Sequence, residues 1–537
     1  MNSVTQLSEQ TGEPPVSGGR GKVHLWTVVT LLVIQVVMYE LFPHFTQWVE
    51  FDWILRNGIY WGPLVALAVV AFKYAVRSGI VRRLLDKEDL ELGTHRRAFA
   101  VGFTLLSFAI IWSEFAPAGR DLVAYHLYAS MFTAREGLIP STPDFVRFTP
   151  LQNAANDIGN SVSSTGEQVE SAYVQPMLTG HGFAYVAPIT PSGMYNTFVN
   201  KNPGFILLDD SSTIDDPHAR LQRIDDEQQI GQGMELFDNL YYVLAKTDFF
   251  ADFDTPHFLA LDAAQPHKLT LIVPKVKYAF FWQLPYWGGD VLVHADGTVE
   301  DLSAEQAQAD PRLKGKWIYP ISLARRYVEL QNYAAGHGLL TPFVRLAGLF
   351  EIEQLDGVNQ FPFLTHGNDD KPYLVSATKG QGAAKGLFRM YYVDASTGAG
   401  SYHQFGTNDT HYGAGASLQR VTNIQIPGVT WFYRSGEHSG GVHVAIEPVY
   451  IARPGDPDLY WKFTVTNVQY SGIFATVVLL ASNPDKSILF LKRDDFERWL
   501  RGGPAPTASS HKDAFRLAIE SVLQQLQGLQ KQVEQLP

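Results

Sequence analysis

The chain has 537 residues, with 54 acidic against 42 basic side chains and a net charge of −12, which argues against a nucleic-acid surface built on clustered Lys and Arg. It contains no cysteine, so thiol catalysis, disulfide staples and cysteine metal centres are excluded. The length allows more than one domain with a real core, and an aromatic content of 13% suits pleated, β-rich packing.

Residues 1–22 are rich in Ser, Gly, Glu and Pro and read as a disordered tail. Three apolar segments follow, Val23–Leu41, Gly58–Val76 and Ala98–Ser113, and predict a three-helix membrane anchor over residues 23–118. Each approaches the roughly 20 residues that cross about 30 Å of hydrocarbon. Trp26, Tyr60, Trp61 and Trp112 lie near segment ends, where amphipathic rings favour the interface. Arg20 and Lys22 precede the first segment, Arg56 alone separates the first two, and Arg77, Arg82, Arg83, Lys87, Arg96 and Arg97 separate the last two. That bias predicts a cytoplasmic N-terminus and an extracytoplasmic chain beyond about Gly119. A buried core helix is the competing reading for any one segment.

Residues 119–170 are expected to form a helical and linker region. Leu122, Tyr125, Leu127, Met131 and Phe132 suggest a helix over Asp121–Arg135, and Asn153–Ser171 reads as a linker or exposed helix. Two β-rich domains are expected next, at 171–345 and 346–501, giving an α+β fold class. An internal repeat supports them. Its copies begin at Gln175-Pro-Met-Leu, Phe361-Pro-Phe-Leu and Glu447-Pro-Val-Tyr; each continues through a Tyr-centred strand to a Gly-led strand, at Gly204, Gly386 and Gly472. Between the first two copies, Asp296-Gly297 joins Gly289–His294 to Thr298–Leu302 as a hairpin. Leu323, Tyr327 and Leu330 then mark one helical face.

The second copy ends in Tyr392-Val-Asp-Ala-Ser-Thr-Gly398. With Tyr373 and Val375, this ending resembles PepSY-like modules, small α/β units of exported or membrane-anchored bacterial proteins. The resemblance spans about 35 residues and implies a binding or regulatory role in the envelope, with the Asp and Thr-Gly forming a tight turn. It implies no catalytic residues, and the other copies lack the Asp-Ala-x-Thr-Gly ending.

Residues 502–510 read as a linker. Beyond it, Phe515, Ile519, Val522, Leu526, Leu529, Val533 and Leu536 recur with a 3.5-residue period, which predicts a coiled-coil helix over 511–537 and self-association or a partner helix. Gly528 weakens it by about 1 kcal/mol.

Among chemistry-bearing residues, His403, His411, His438 and His443 cluster in sequence, with His438 and His443 the metal candidates, but alternation along a strand would turn those two to opposite faces. Asp248, Asp252 and Asp254 miss the EF-hand spacing, and Asp209-Asp210 and Asp215-Asp216 read as solvated turns. Gly413-Ala-Gly415 and Gly440-Gly441 read as inter-strand turns without phosphate-binding geometry. No catalytic motif stands out, and no cofactor is expected. The sequence therefore points to a membrane-integral, extracytoplasmic binding or scaffolding protein of the cell envelope, oligomeric through its C-terminal heptads. An envelope hydrolase assembled between modules is the alternative; Glu40, Lys73 and Glu114 leave a transporter component as a third.

Overall fold

A computed structural model describes residues 19–506 except 57, 78–91, 163, 181, 211–219, 263, 280–282, 333–349, 354–361, 383, 407–409, 435–436, 439 and 454. The N-terminal tail and the heptad segment 511–537, with Phe515 through Leu536, therefore lie outside the described residues, as does Asp215-Asp216.

The N-terminal helices correct the sequence expectation. Helix α1 (Gly19–Leu41) stops at Phe42, and α2 (Pro43–Gln47) starts with the proline that cannot continue it. A π-helical segment, Trp48–Arg56, follows. The pair Val29–Leu41 and Pro43–Arg56 bends by 119°, and passes for a membrane span only when its two halves are taken together. Helix α3 (Gly58–Arg77) carries Pro63, Lys73 and Arg77, and α4 (Leu92–Tyr128) carries Glu114, Arg120 and Asp121. Among the described residues no single helix is long and apolar enough to cross a membrane, so three N-terminal spans are not supported. Pro63 and Lys73 interrupt α3, Glu114 interrupts α4, and α1 ends at the bend beside Pro43. The bent unit packs on the β-rich part instead: Gln47 donates to the carbonyls of Phe249 (3.1 Å) and Ala251 (2.9 Å), and Arg56 pairs with Asp252.

Helix α4 runs to Tyr128, past the expected helix start at Asp121, and gives way to β1 (Phe132–Ala134), so Phe132 is in a strand. Asp121 pairs with Arg326, and Tyr128 lies 4.5 Å from the Tyr327 ring, fixing the end of α4 to the core. Helix α5 (Leu151–Ser161) occupies part of the expected linker and buries Asn153, Ala154 and Ile158.

Among the described residues four larger, mainly antiparallel sheets follow, in a mixed α+β fold. The first holds β2 (Glu167–Gln168), β3 (Gln175–Leu178), β4 (Phe183–Pro191), β5 (Gly204–Asp209) and β6 (Leu221–Ile224). After helix α6 (Leu240–Thr247), the second holds β7 (Asp252–Phe253), β8 (His257–Ala260), β9 (Leu269–Ala279), β10 (Leu284–Val293) and β11 (Val299–Leu302). Helix α7 (Ile321–Leu330) leads to the third: β12 (Phe350–Ile352), β13 (Phe363–His366), β14 (Pro372–Gly380), β15 (Leu387–Asp394) and β16 (Gly400–Gln404), with β1 added parallel to β16. Helix α8 (Ala414–Val421) and a ribbon of β17 (Tyr433–Arg434) and β18 (Glu437–His438) precede the fourth sheet: β19 (His443–Ala452), β20 (Leu459–Asn467), β21 (Ile473–Leu480) and β22 (Asn483–Phe490). Helix α9 (Arg493–Leu500) ends the described chain's regular structure.

The four sheets share one wiring. In each, a long strand (β4, β9, β14 or β20) pairs on one side with the next strand of a meander. On the other side it pairs with a strand broken in two: β2 and β3, β7 and β8, β12 and β13. In the fourth sheet the two halves are fused in β19, and the break survives as a bulge between Ile446 and Val449. The second sheet is thus a copy the sequence shows only as a hairpin. Its Gly289 answers to Gly204: both have positive φ (104° and 153°), and a Cβ on either would lie 2.0 Å from a carbonyl of the following strand, Leu302 or Ile224.

Neighbouring sheets share cores. Phe205 of the first packs with Phe258, Leu271 and Val291 of the second, while Trp317, Tyr327, Tyr391, Trp461 and Val477 belong to a cluster joining the second, third and fourth. Each fully buried Leu or Phe contributes about 1.5–3 kcal/mol by leaving water. Helix α5 joins the fourth sheet back to the first. Ala154 and Ile158 pack with Phe183 and Ile206, and Asn153 donates to Thr466 Oγ1 at 3.0 Å. The four sheets therefore contact one another in cyclic order, and α5 closes the ring.

Candidate functional site

The closure seam is where charge concentrates. Residues 147–151 thread between the first and fourth sheets, where their backbone groups are cut off from water and must find partners. Side chains supply them. The Lys462 ammonium donates to the carbonyls of Arg147 (2.6 Å) and Phe148 (2.8 Å), and the Tyr185 hydroxyl donates to the Thr149 carbonyl. The Asp210 carboxylate accepts from the N–H groups of Phe148 (2.9 Å) and Thr149 (3.1 Å). The Glu447 carboxylate accepts from the Leu151 N–H at 2.8 Å, at the first turn of α5, and from Arg147 at 2.7 Å. A helix N-terminus favours such an anion.

Glu447 occupies the bulge of β19 with φ of +52°, a conformation costly for a non-glycine residue. The bulge turns its carboxylate inward, where none of it is exposed. The same position recurs around the ring. Asp254, just after β7, accepts from the N–H and hydroxyl of Ser322 at the start of α7 (both 2.8 Å). Glu353, just after β12, accepts from the N–H groups of Ala414 and Gly415 at the start of α8 (both 2.7 Å). Three of the four sheets therefore hold a helix N-terminus with an acid at the break in their first strand. Burial pushes the Glu353 carboxyl up, against the pull of those two N–H groups. Gly413 is the N-cap of α8, so Gly413-Ala-Gly415 opens a helix and is not the inter-strand turn expected from sequence. Its anion is already present, within the chain.

At the seam, cations outnumber anions. Arg147, Arg220, Lys462 and Arg493 are buried, with Asp210 and Glu447 as buried carboxylates and the half-buried Glu497 accepting from Arg493 Nε at 2.6 Å. Arg220 and Arg493 both face Asp210, at 3.4 and 3.8 Å, and Arg493 also donates to the Asp210 carbonyl. Burial pushes the Lys462 ammonium down to about 8; Glu447 and Asp210 oppose that shift, and Arg147 and Arg493 add to it. Beside this cluster lies a cleft of about 410 Å³ between α5, the start of β21 and the end of β22. Arg220, Arg493, Lys492 and Asn153 supply its polar lining, and Phe148, Phe474 and Phe490 its aromatic lining.

The sequence candidates lie elsewhere. His438 is exposed on β18 against the Phe432 ring, whereas His443 is buried on β19, its Nδ1 3.0 Å from the Thr430 N–H. They occupy separate strands. Among the described residues no three His, Asp or Glu side chains are grouped to hold a metal ion. Asp248 pairs with Lys277 at 2.8 Å, Asp252 with Arg56, and Asp254 with Ser322, so the three acids do not converge on one point. Asp210, read as a solvated turn, is buried at the seam. The ending Asp394–Gly398 is a closed turn: Asp394 Oδ1 accepts from the Ser396 N–H (2.9 Å) and the Thr397 N–H (3.1 Å).

No protein-family model matches this chain, and no curated protein does. Among solved structures, a mutant of the Synechocystis apocarotenoid oxygenase aligns at 11% identity over 62% of this chain and 64% of that one, with a TM-score of 0.19. That likeness is too slight to bear on fold or function.

Proposed function

We propose that this chain is a binding or scaffolding protein held at a bacterial envelope membrane, with the ring of sheets as its working part. One observation carries the reading: a series of exposed large apolar side chains along the N-terminal helices and the adjoining part of the ring, with nothing over them among the described residues. Leu31, Leu32, Val36 and Val37 of α1 are exposed, as are Val65 and Val70 of α3 and Phe103 and Leu106 of α4. Phe42, Phe45 and Trp48 at the bend are exposed as well. Beside the bend His44 meets Tyr241 of α6 at 5.6 Å. On the ring Leu236 and Phe237 are exposed, as are Met194 and Tyr195, by 82% and 77%. Patches beyond a few hundred Å² mark an interaction surface, and Trp, Tyr and Phe at its margin suit a lipid interface.

The proposal does not require three crossings. It requires that the apolar face meet lipid, and it adds clustering through the heptads of 511–537. Membranes washed in alkaline carbonate test the first point: the chain is expected to stay with the pellet, and full release would overturn membrane attachment. Cross-linking with and without residues 511–537 tests the second, and unchanged monomer bands would end the clustering idea. Protease added to sealed cells reads sidedness, with cleavage of the ring expected from outside.

A further inference from the structure

We infer that the cleft at the closure seam binds a small organic oxyanion, a carboxylate or a phosphate monoester, carried on an apolar body. The inference rests on the reading of this chain as a binding protein but not on its attachment to a membrane.

Charge gives the first reason. Four buried cations face two buried carboxylates and the half-buried Glu497, and the remaining positive charge is costly in a low-dielectric interior unless a counter-ion meets it. Arg220 and Arg493 lie at the boundary between that cluster and the cleft; both face Asp210, and Arg493 Nε also pairs with Glu497 at 2.6 Å. Arg220 Nε and Arg493 Nη1 are both buried, and among the described residues neither has a hydrogen-bond acceptor. A guanidinium with spare donors suits a planar or tetrahedral oxyanion, which can take two of them at once. Lys492, exposed at the rim, adds a third positive charge to the lining.

Shape gives the second. The volume, about 410 Å³, falls within the range of small-ligand pockets. Phe148, Ile473, Phe474 and Phe490 also line the cleft, with the Phe148 ring stacked under the Arg493 guanidinium at 4.7 Å. An inorganic anion would satisfy the charge and leave those rings facing water, whereas a ligand with an apolar body meets both kinds of lining. Asp157 is the only carboxylate among the lining residues, and it sets the polarity of one corner against an anionic head.

The test is calorimetric titration of the full chain with benzoate, phenyl phosphate and benzyl alcohol. Saturable binding of one or both anions, with no binding of the alcohol, is expected. Which anion binds tells carboxylate from phosphate. Lys492→Glu, a change at an exposed rim position, should weaken anion binding about tenfold, and added salt should do the same. Asp157→Asn should tighten it. Equal binding of benzyl alcohol, or no heat from either anion at millimolar concentration, would overturn the inference. Phosphate release from phenyl phosphate, measured in the same sample, would support an oxyanion site while removing the binding-protein reading in favour of a hydrolase.

Discussion

Glu447→Gln is the sharpest perturbation of the closure seam. It keeps the shape of the side chain and an oxygen for the Leu151 N–H, but removes the charge that faces Arg147 at 2.7 Å. Both side chains are almost wholly buried, with 5% of Arg147 and none of Glu447 exposed. Removing one partner of such a pair strands the other charge and costs about 3–5 kcal/mol. The loss should fall near the upper value, because Lys462 and Arg493 already load the same volume with positive charge. With an unfolding entropy of about 2.1 cal/mol/K per residue over a ring of roughly 370 residues, that cost lowers the melting midpoint by about 4–6 °C. Differential scanning calorimetry of the purified chain reads the shift. The double variant Arg147→Met, Glu447→Gln removes both charges and should recover most of the loss. A single variant within a degree of the native chain, or a double variant no better than the single, would refute the account of the seam.

Three further outcomes follow from the same geometry. The Lys462 ammonium is held near 8 against 10.5 when unfolded, so the unfolded chain binds the extra proton between those values. Stability relative to Lys462→Met should therefore rise with pH across that window by about 3 kcal/mol, measured by urea unfolding; a flat difference would contradict the burial of a titrating amine. Asp290 is fully buried on β10, and burial pushes its carboxyl well above the ordinary value, opposed only by Lys275. A raised carboxyl value makes the folded state bind the extra proton, so stability relative to Asp290→Asn should fall as pH rises above about 4, by about 1.4 kcal/mol per unit, until the folded value is passed. Gly289→Ala places a Cβ 2.0 Å from the Leu302 carbonyl at a φ of +104°, and should cost at least about 2 kcal/mol by denaturant titration; a neutral result would show that β10 and β11 do not approach as described.

Local chemistry made part of the fold legible. Asp296-Gly297 marks the β10–β11 turn, Asp370 at φ +61° closes the β13–β14 turn, and the Gly-led third strands begin where Gly204, Gly386 and Gly472 stand. The second sheet escaped because its long strand, Leu269–Ala279, carries Pro274 and two lysines in place of a Tyr-centred pattern. The anchor was misread for a different reason. Hydropathy counts side chains along the chain, and it does not register the 119° bend at Phe42-Pro43, just past the first expected segment, that turns the chain onto the β-rich part. The seam was invisible because Arg147, Asp210, Glu447 and Lys462 are joined only by the ring's closure. Two local signs were present: an acid followed by proline within the apolar run of β19, and a lysine inside Tyr-Trp-Lys-Phe-Thr-Val of β20. A charge in the middle of a strand with no polar alternation calls for a buried partner.

Because the chain has no cysteine, a nitroxide label can be placed at a single engineered site without background. Phe237→Cys puts the label on the exposed apolar surface, and Asp485→Cys puts it on the far edge of the fourth sheet, where 76% of the side chain is exposed. Collision with oxygen and with a water-soluble nickel chelate then reads each site's solvent in lipid vesicles. The label at 237 should collide with oxygen and be shielded from nickel, while the label at 485 does the reverse. Equal nickel access at both sites would contradict the membrane-held ring.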